Sequence, residues 1–291
     1  MALGTVTAFA DGTIPKDGGE LASGNYQLTA NTTVTSQLKV AAGAEVTIDL
    51  NGFTLSGGEN VTGAVISNRG TLTIKDTSPE VDGKISGPGG IDNYSELILE
   101  CGTIESTDSV YNAVQFLADG TFTMNGGTIS APTSSIGRAG EISATINIYG
   151  GNVGGFNLLP KFNLTIGGTN INHSEIYVGK LNRVWNTSNV IINLYSGIIE
   201  SLPSTSSGIT YNENPTALIA NNTQVPGGYH YKTTTYNGQT YYQLEKNSEQ
   251  VAHIGNTSYY YLPDAVAALK ERDILVLDAN FEVGDTSEVL N

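Results

Sequence analysis

The chain has 291 residues, of which 35 are glycine and only 14% are charged, and its 28 Asp and Glu against 13 Lys and Arg give a net charge of −15. The few basic residues are scattered, which argues against a nucleic-acid partner because phosphate contacts need clustered Lys and Arg. No segment approaches the roughly 20 apolar residues of a membrane-spanning helix, so we predict no membrane insertion.

The N-terminal residues 1–10 end in Ala8, Phe9 and Ala10, which match the A-x-A pattern cut by signal peptidase. We interpret this segment as the remnant of a signal peptide, with the mature protein starting at Asp11. The alternative is an apolar terminus without a targeting role. The first interpretation predicts a secreted or cell-surface protein.

Residues 11–210 are predicted to form one repetitive all-β domain, beginning with a polar, glycine-rich N-terminal cap. A short phrase then recurs between residues 46 and 201: alternating apolar positions, one or two polar residues, a glycine and a further β-rich pair. Its copies are V-T-I-D-L-N-G-F-T-L from Val46, a weaker T-L-T-I-K-D from Thr71, L-I-L-E-C-G-T-I-E-S from Leu97, F-T-M-N-G-G-T-I-S from Phe122, I-N-I-Y-G-G-N-V from Ile146, L-T-I-G-G-T-N-I from Leu164 and I-N-L-Y-S-G-I-I-E-S from Ile192.

The repeat spacing predicts the fold. The glycines of the phrase align at Gly52, Gly102, Gly127, Gly151, Gly168 and Gly197, a mean period of about 24 residues. Alternation inside each copy indicates strands, and strands at this period predict a parallel β-helix of about seven turns. We expect these side chains to point inward: Ile48, Leu50, Ile98, Phe122, Met124, Ile146, Ile148, Leu164, Ile166, Ile192 and Leu194.

The phrase at residues 47–55 and the G-G-T-I-like phrases that begin at Gly126 and Gly167 resemble those of right-handed parallel β-helix domains in secreted and cell-surface bacterial proteins. The resemblance covers roughly residues 25–201 and, separately, the end of the chain. It implies an adhesin-like setting, but these folds host unrelated functions.

Several segments interrupt the repeat. The segment 76–84, D-T-S-P-E-V-D-G-K, contains Asp76, Glu80 and Asp82, but their spacing matches neither an EF-hand nor a nonapeptide calcium repeat. We interpret it as a solvated acidic loop and predict neither a metal nor a cofactor. Segments 131–140 and 201–208 are also predicted loops, and a long turn over residues 171–188 contains Trp185.

Residues 211–250 form a predicted tyrosine-rich β-hairpin module, because an Asn237-Gly238 turn lies between two alternating segments. It would cap the solenoid or form a small appended unit. Aromatic rings can stack on sugars, and the binding candidates are Tyr229, Tyr231, Tyr236, Tyr241 and Trp185. The alternative is that the tyrosines simply pack across paired strands.

Residues 251–291 form a predicted ββαβ-like segment that resembles the start of a further β-helix repeat. It contains a helix over residues 263–271 with an apolar stripe of Ala265, Ala268 and Leu269. The segment either docks on the solenoid through a strand at residues 274–277 or begins a second solenoid in a longer multidomain chain.

Pectate lyases and polygalacturonases share this fold, so an enzyme is the alternative to a scaffold. The polygalacturonase phrases N-T-D, G-H-G and R-I-K are missing, and the single Cys101 is interpreted as an inert residue near the core. The candidate carboxylates are Asp92, Glu100, Asp108 and Asp119, and the histidines are His173, His230 and His253. We predict no catalytic residues and expect a surface scaffold, either adhesin-like or a stalk, that binds an extracellular glycan or a host surface protein. The alternative is a polysaccharide lyase or glycoside hydrolase.

Overall fold

A computed structural model describes residues 10–80, 82–168, 170–183, 189–203, 208–222, 225–247, 250–259 and 262–278. About half of the chain is strand, and the strands wind into a parallel β-solenoid of about eight turns. The predicted all-β parallel β-helix is therefore confirmed. Trp185 and residues 1–9, with most of the predicted signal-peptide remnant, lie outside the described residues.

Sheet 1 contains ten parallel strands, numbered here in chain order with those of the other sheets. They are β1 (Ala10–Gly12), β3 (Gly24–Gln27), β6 (Glu45–Asp49), β9 (Thr71–Lys75), β12 (Glu96–Leu99), β15 (Gly120–Met124), β18 (Ala144–Ile148), β21 (Phe162–Ile166), β24 (Val190–Leu194) and β26 (Ile209–Tyr211).

Sheet 2 contains eleven strands, of which the last two to join form an antiparallel hairpin. They are β4 (Thr32–Val34), β7 (Thr54–Gly57), β10 (Lys84–Gly87), β13 (Thr103–Ser106), β16 (Thr128–Ser130), β19 (Gly151–Val153), β22 (Ile176–Val178), β25 (Ile198–Ile199), β27 (Leu218–Ile219), β28 (Tyr229–Tyr236) and β29 (Gln239–Lys246).

Sheet 3 closes the third side of the early turns, and a two-stranded sheet continues after it. The strands of sheet 3 are β2 (Gly19–Leu21), β5 (Leu38–Val40), β8 (Ala64–Asn68), β11 (Gly89–Asn93), β14 (Val114–Phe116) and β17 (Ile136–Arg138), and the pair is β20 (Phe156–Leu158) with β23 (Leu181–Arg183). The predicted loop at residues 131–140 therefore contains a strand, β17. A 3-10 helix (His173–Glu175) precedes β22.

The core is a column of apolar side chains stacked turn on turn, because strand neighbours in sheet 1 pair without a register shift. Leu72 pairs with Leu97, which pairs with Phe122, and all three are fully buried. Every predicted inward side chain is buried except Ile98, for which the prediction was wrong. Ile98 pairs with Thr73 and faces outward, since a shift of one residue moves a side chain to the other face.

The corner between sheets 1 and 2 is made by glycines with positive φ, for example Gly127 at φ 84°. A Cβ there would lie 2.3 Å from the carbonyl oxygen of Gly102 in the preceding turn, so the corners can stack only without side chains. The prediction of Gly168 as a corner residue was wrong by one position, because the residue with the positive φ, 76°, is Gly167.

The predicted solvated acidic loop is also corrected. Asp76 is only 4% exposed and accepts hydrogen bonds from the backbone N–H groups of Gly52 (2.8 Å), Ser78 (3.0 Å) and Gly83 (2.6 Å). Glu80 and Asp82 are exposed. Asp76 therefore ties the loop to the solenoid.

The hairpin pairs with the last parallel strand at the C-terminal end of the solenoid. Asn237 (φ 50°) and Gly238 (φ 75°) form its turn, and Tyr242 of β29 pairs with Ile219 of the last parallel strand. Leu244 is buried against the core. The predicted boundary at residue 210 lies within β26, and the parallel strands continue to Ile219.

The tail forms a small unit of β30 (Ala252–Ile254), β31 (Thr257–Tyr259), α1 (Leu262–Ala267) and β32 (Leu275–Leu277). Strand β32 pairs with β30, and its neighbour Ile274 is 75% exposed. The predicted docking of residues 274–277 on the solenoid is therefore not observed. Helix α1 is also shorter than predicted.

Candidate functional site

The four described tyrosines of the predicted site divide between the two faces of the hairpin. Tyr231 pairs with the buried Leu244, and both Tyr229 and Tyr231 pack against the core. Burial raises the pKa of Tyr231. The rings of these two tyrosines face the core at the last turn of the solenoid, so little ring surface is left to contact a ligand.

Tyr236 and Tyr241 lie on the outer face of the hairpin, and Tyr236 contacts the start of the 3-10 helix at His173–Glu175. Their rings meet edge-on at 6.3 Å, and the ring of His173 meets Tyr236 edge-on at 5.4 Å. The Tyr236 hydroxyl donates to Asn172, and His173 Nδ1 accepts from the Gly197 N–H at 3.1 Å. This cluster fixes the hairpin tip to the solenoid.

The sequence analysis missed two tyrosines on the outer face of sheet 1. Tyr149 follows β18 and is 37% exposed, and Tyr195 follows β24 and is 40% exposed. Because Ile148 pairs with Ile166 and Ile166 with Leu194, the next residues, Tyr149, Gly167 and Tyr195, form one column. The two tyrosines are thus two strand spacings apart, about 9.6 Å.

A column of amides and a hydroxyl lies beside the tyrosines. Asn147 pairs with Thr165 and Thr165 with Asn193, and Asn193 Nδ2 donates to Thr165 Oγ1 at 3.3 Å. Alternation along each strand points these side chains to the same side as the tyrosines. A third column is formed by the outward residues near the start of the same strands, and it includes Ile191, which is 45% exposed.

We call this surface the neutral face and define it as the outward positions of β15, β18, β21, β24 and β26 together with the residue that directly follows each of these strands. It consists of Thr121, Thr123, Asn125, Thr145, Asn147, Tyr149, Asn163, Thr165, Gly167, Ile191, Asn193, Tyr195, Thr210 and Asn212. All of these residues are described, and none of them is charged.

Charged side chains lie at outward positions elsewhere on the solenoid, whereas the neutral face holds none in a chain of net charge −15. The earlier strands of sheet 1 present Glu45, Asp49, Lys75, Glu96 and Glu100 at or next to outward positions. The outer side of sheet 2 carries two ion pairs, Lys84 with Glu105 at 3.1 Å and Lys180 with Glu200 at 3.4 Å.

Asp49, at the edge of the charged part of sheet 1, is held by neighbouring donors. It accepts from Gln27 Nε2 (3.1 Å), the Asn51 N–H (3.1 Å), and the N–H (3.0 Å) and hydroxyl (2.7 Å) of Thr77. Burial raises its pKa, but these hydrogen bonds outweigh burial and lower the pKa below the usual range. Asp49 is thus an ionised structural acceptor.

The candidate carboxylates lie on different turns and have different partners. Glu100 accepts from Asn125 Nδ2 at 3.1 Å, Asp108 from the Val110 N–H at 2.8 Å, and Asp119 from the Ser143 N–H at 2.8 Å. Asp92 lies on sheet 3, where burial raises its pKa. The structure does not bring these four residues together as an acid and base pair.

The histidines are also far apart in the fold. His173 begins the 3-10 helix before β22. His230 approaches Glu245 on the hairpin at 3.3 Å, and His253 approaches Asp278 in the tail at 2.8 Å. Within the described ranges, no group of three or more His, Cys, Asp or Glu side chains is arranged to bind a metal ion. Cys101 is partly exposed at a corner, where its thiol contacts the backbone of Asp76.

Comparison with known proteins finds no matching family model, no matching curated protein and no matching solved structure. Among the described residues, no helix has the length and apolar character needed to cross a membrane. A function must therefore be argued from the surface itself.

Proposed function

We propose that this chain is a non-catalytic extracellular scaffold, adhesin-like or a stalk, that binds carbohydrate through the neutral face. The observation that supports the proposal is the pair of exposed tyrosines, Tyr149 and Tyr195, beside the column of Asn147, Thr165 and Asn193. A tyrosine ring offers an apolar face and a polar tip. Side-chain amides and hydroxyls both donate and accept hydrogen bonds, as sugar hydroxyls do.

The fold suits this role because Asn147, Thr165 and Asn193 stand on strands, while Tyr149 and Tyr195 directly follow β18 and β24. Within the neutral face, every strand of sheet 1 except the terminal β26 is hydrogen-bonded to a strand on either side, and the inward apolar residues of these strands are fully buried. Side chains on such elements keep their spacing, which reduces the entropy lost on binding. The proposal includes a secreted or cell-surface location for the protein.

The test uses purified protein on a glycan array, together with a reducing-sugar assay and an assay for unsaturated products on uronic-acid polymers. We expect glycan binding without release of product. Binding to an extracellular protein with no glycan bound would contradict the proposal. The alternative, a lyase or hydrolase, is supported instead if product appears and if replacing one carboxylate abolishes its release.

A further inference from the structure

We infer that the ligand of the neutral face is a linear polymer of uncharged sugars that lies along the solenoid axis, with Tyr149 and Tyr195 as two stacking platforms. This inference rests on the proposed function and specifies the class of glycan and its direction. It follows from the charge of the surface, the direction of its repeat and the space between the two rings.

The charge of the surface excludes polyanions as the preferred ligand. A polymer of uronic acids carries a charge on every unit and needs Lys or Arg for neutralisation. The outward positions of the neutral face hold none, and the chain as a whole carries −15. A basic polymer would in turn need carboxylates, and the outward positions of the face hold none; Glu100, in the preceding turn, is hydrogen-bonded to Asn125 at the edge of the face.

The direction of the repeat favours a ligand parallel to the axis. Along the axis, five strands offer equivalent positions over four spacings, about 19 Å. Along any one strand, only three outward positions are available, for example Thr145, Asn147 and Tyr149. A polymer with its own repeat therefore gains more contacts when it follows the columns than when it crosses them.

Between the two tyrosines, the column position is Gly167, which is buried and carries no side chain. Its φ is 76°, and a Cβ built there would lie 2.0 Å from Ser196 Oγ, so no side chain fits at this position of the column. Tyr149 and Tyr195 can therefore each contact a separate unit of the same chain, with the shorter Asn147, Thr165 and Asn193 alongside.

The experiment measures affinity by titration calorimetry with neutral oligosaccharides of increasing length, from cellulose, mannan and xylan, and with polygalacturonate and alginate. We expect affinity for one neutral series to rise with length and to level off once the ligand covers about 19 Å. We expect no loss of affinity between about 50 mM and 200 mM salt, because no charge is paired. The two acidic polymers should not bind.

Variants locate the site. Tyr149→Ala and Tyr195→Ala should each weaken binding about tenfold through the lost ring contact, and the double variant should lose the dependence on length. Tyr177→Ala is the matched control, since Tyr177 is 41% exposed but lies on sheet 2 beside the ion pair of Lys180 and Glu200. The control should bind as the wild type does. Unchanged thermal melting confirms that each surface variant folds.

The outcomes separate this inference from the proposed function. Tighter binding of polygalacturonate or alginate than of every neutral polymer would overturn the uncharged class and leave carbohydrate binding intact. Neutral binding that survives the double variant, or that does not depend on length, would overturn the placement along the column of Tyr149 and Tyr195. Binding of no glycan at all would overturn the proposed function and this inference with it.

Discussion

Replacing Asp76 by alanine should destabilise the solenoid, because this carboxylate satisfies donors on both sides of its loop. It accepts from Gly52, at the corner between β6 and β7, and from Gly83, directly before β10, besides two bonds from Ser78. A buried donor left without a partner costs about 1–3 kcal/mol. Two such donors, at Gly52 and Gly83, give an expected loss of about 3 kcal/mol in the free energy of unfolding.

The assay is thermal and urea unfolding followed by circular dichroism. For a chain of this length, about 3 kcal/mol corresponds to a fall in melting temperature of about 6 °C. Glu80→Ala is the matched control, since Glu80 is an exposed carboxylate of the same loop, and it should stay within about 0.5 kcal/mol of the wild type. An Asp76→Ala variant as stable as the control would refute the reasoning.

The carboxylate of Asp76 also makes the free energy of unfolding depend on pH, in a direction set by its lowered pKa. Burial raises the pKa of Asp76, but the hydrogen bonds from Ser78, Gly83 and Gly52 together lower it below the unfolded value of about 3.9. Its contribution is therefore complete above that unfolded pKa and is lost as the pH falls through the lower folded pKa. The stability difference between wild type and Asp76→Ala should shrink in that acidic range, and a difference that grows there would contradict the account.

Three further predictions concern the cap, the tail and catalysis. Leu244→Ala should lower the free energy of unfolding by about 2–5 kcal/mol, because it leaves a cavity where the hairpin packs on the solenoid core. Thr240→Ala is the control, since Thr240 is exposed on the same hairpin. Equal stability of the two variants would refute the stabilising role of the hairpin. Deleting residues 251–291 should leave the melting temperature unchanged, since β32 pairs with β30 and not with the solenoid, and a clear fall would show that the tail stabilises it. Pectin and alginate should remain uncut by the purified protein, and product release abolished by a single carboxylate substitution would overturn this.

The fold was predictable from the sequence because one phrase repeats with alternating apolar positions and a corner glycine. Register was harder to predict where the pattern is ambiguous. In L-I-L the alternation does not say which residues point inward, and only pairing of Leu97 with Phe122 places Ile98 outside. Likewise, G-G at 167 and 168 offers two corner residues, and only φ distinguishes them.

The candidate site was harder to predict than the fold. A signal was present, since I-N-I-Y-G-G and I-N-L-Y-S-G place Tyr149 and Tyr195 at the same point of the phrase. The turn between them hides their relation, because its corresponding position is Gly167 and not a tyrosine, and because its length is irregular. The dense tyrosines of the hairpin are a stronger signal in composition, but Tyr229 and Tyr231 serve as packing residues. An uncharged surface becomes visible only when the strands are aligned in register.

The most direct test of carbohydrate binding by the neutral face is a titration followed by NMR of the asparagine side-chain amides. The account predicts that a bound neutral polymer shifts the amide resonances of Asn147 and Asn193. The buried Asn68 and Asn93, whose side chains hydrogen-bond to each other at 2.8 Å near sheet 3, should not respond. Binding of the polymer with no change at Asn147 and Asn193 would contradict the account.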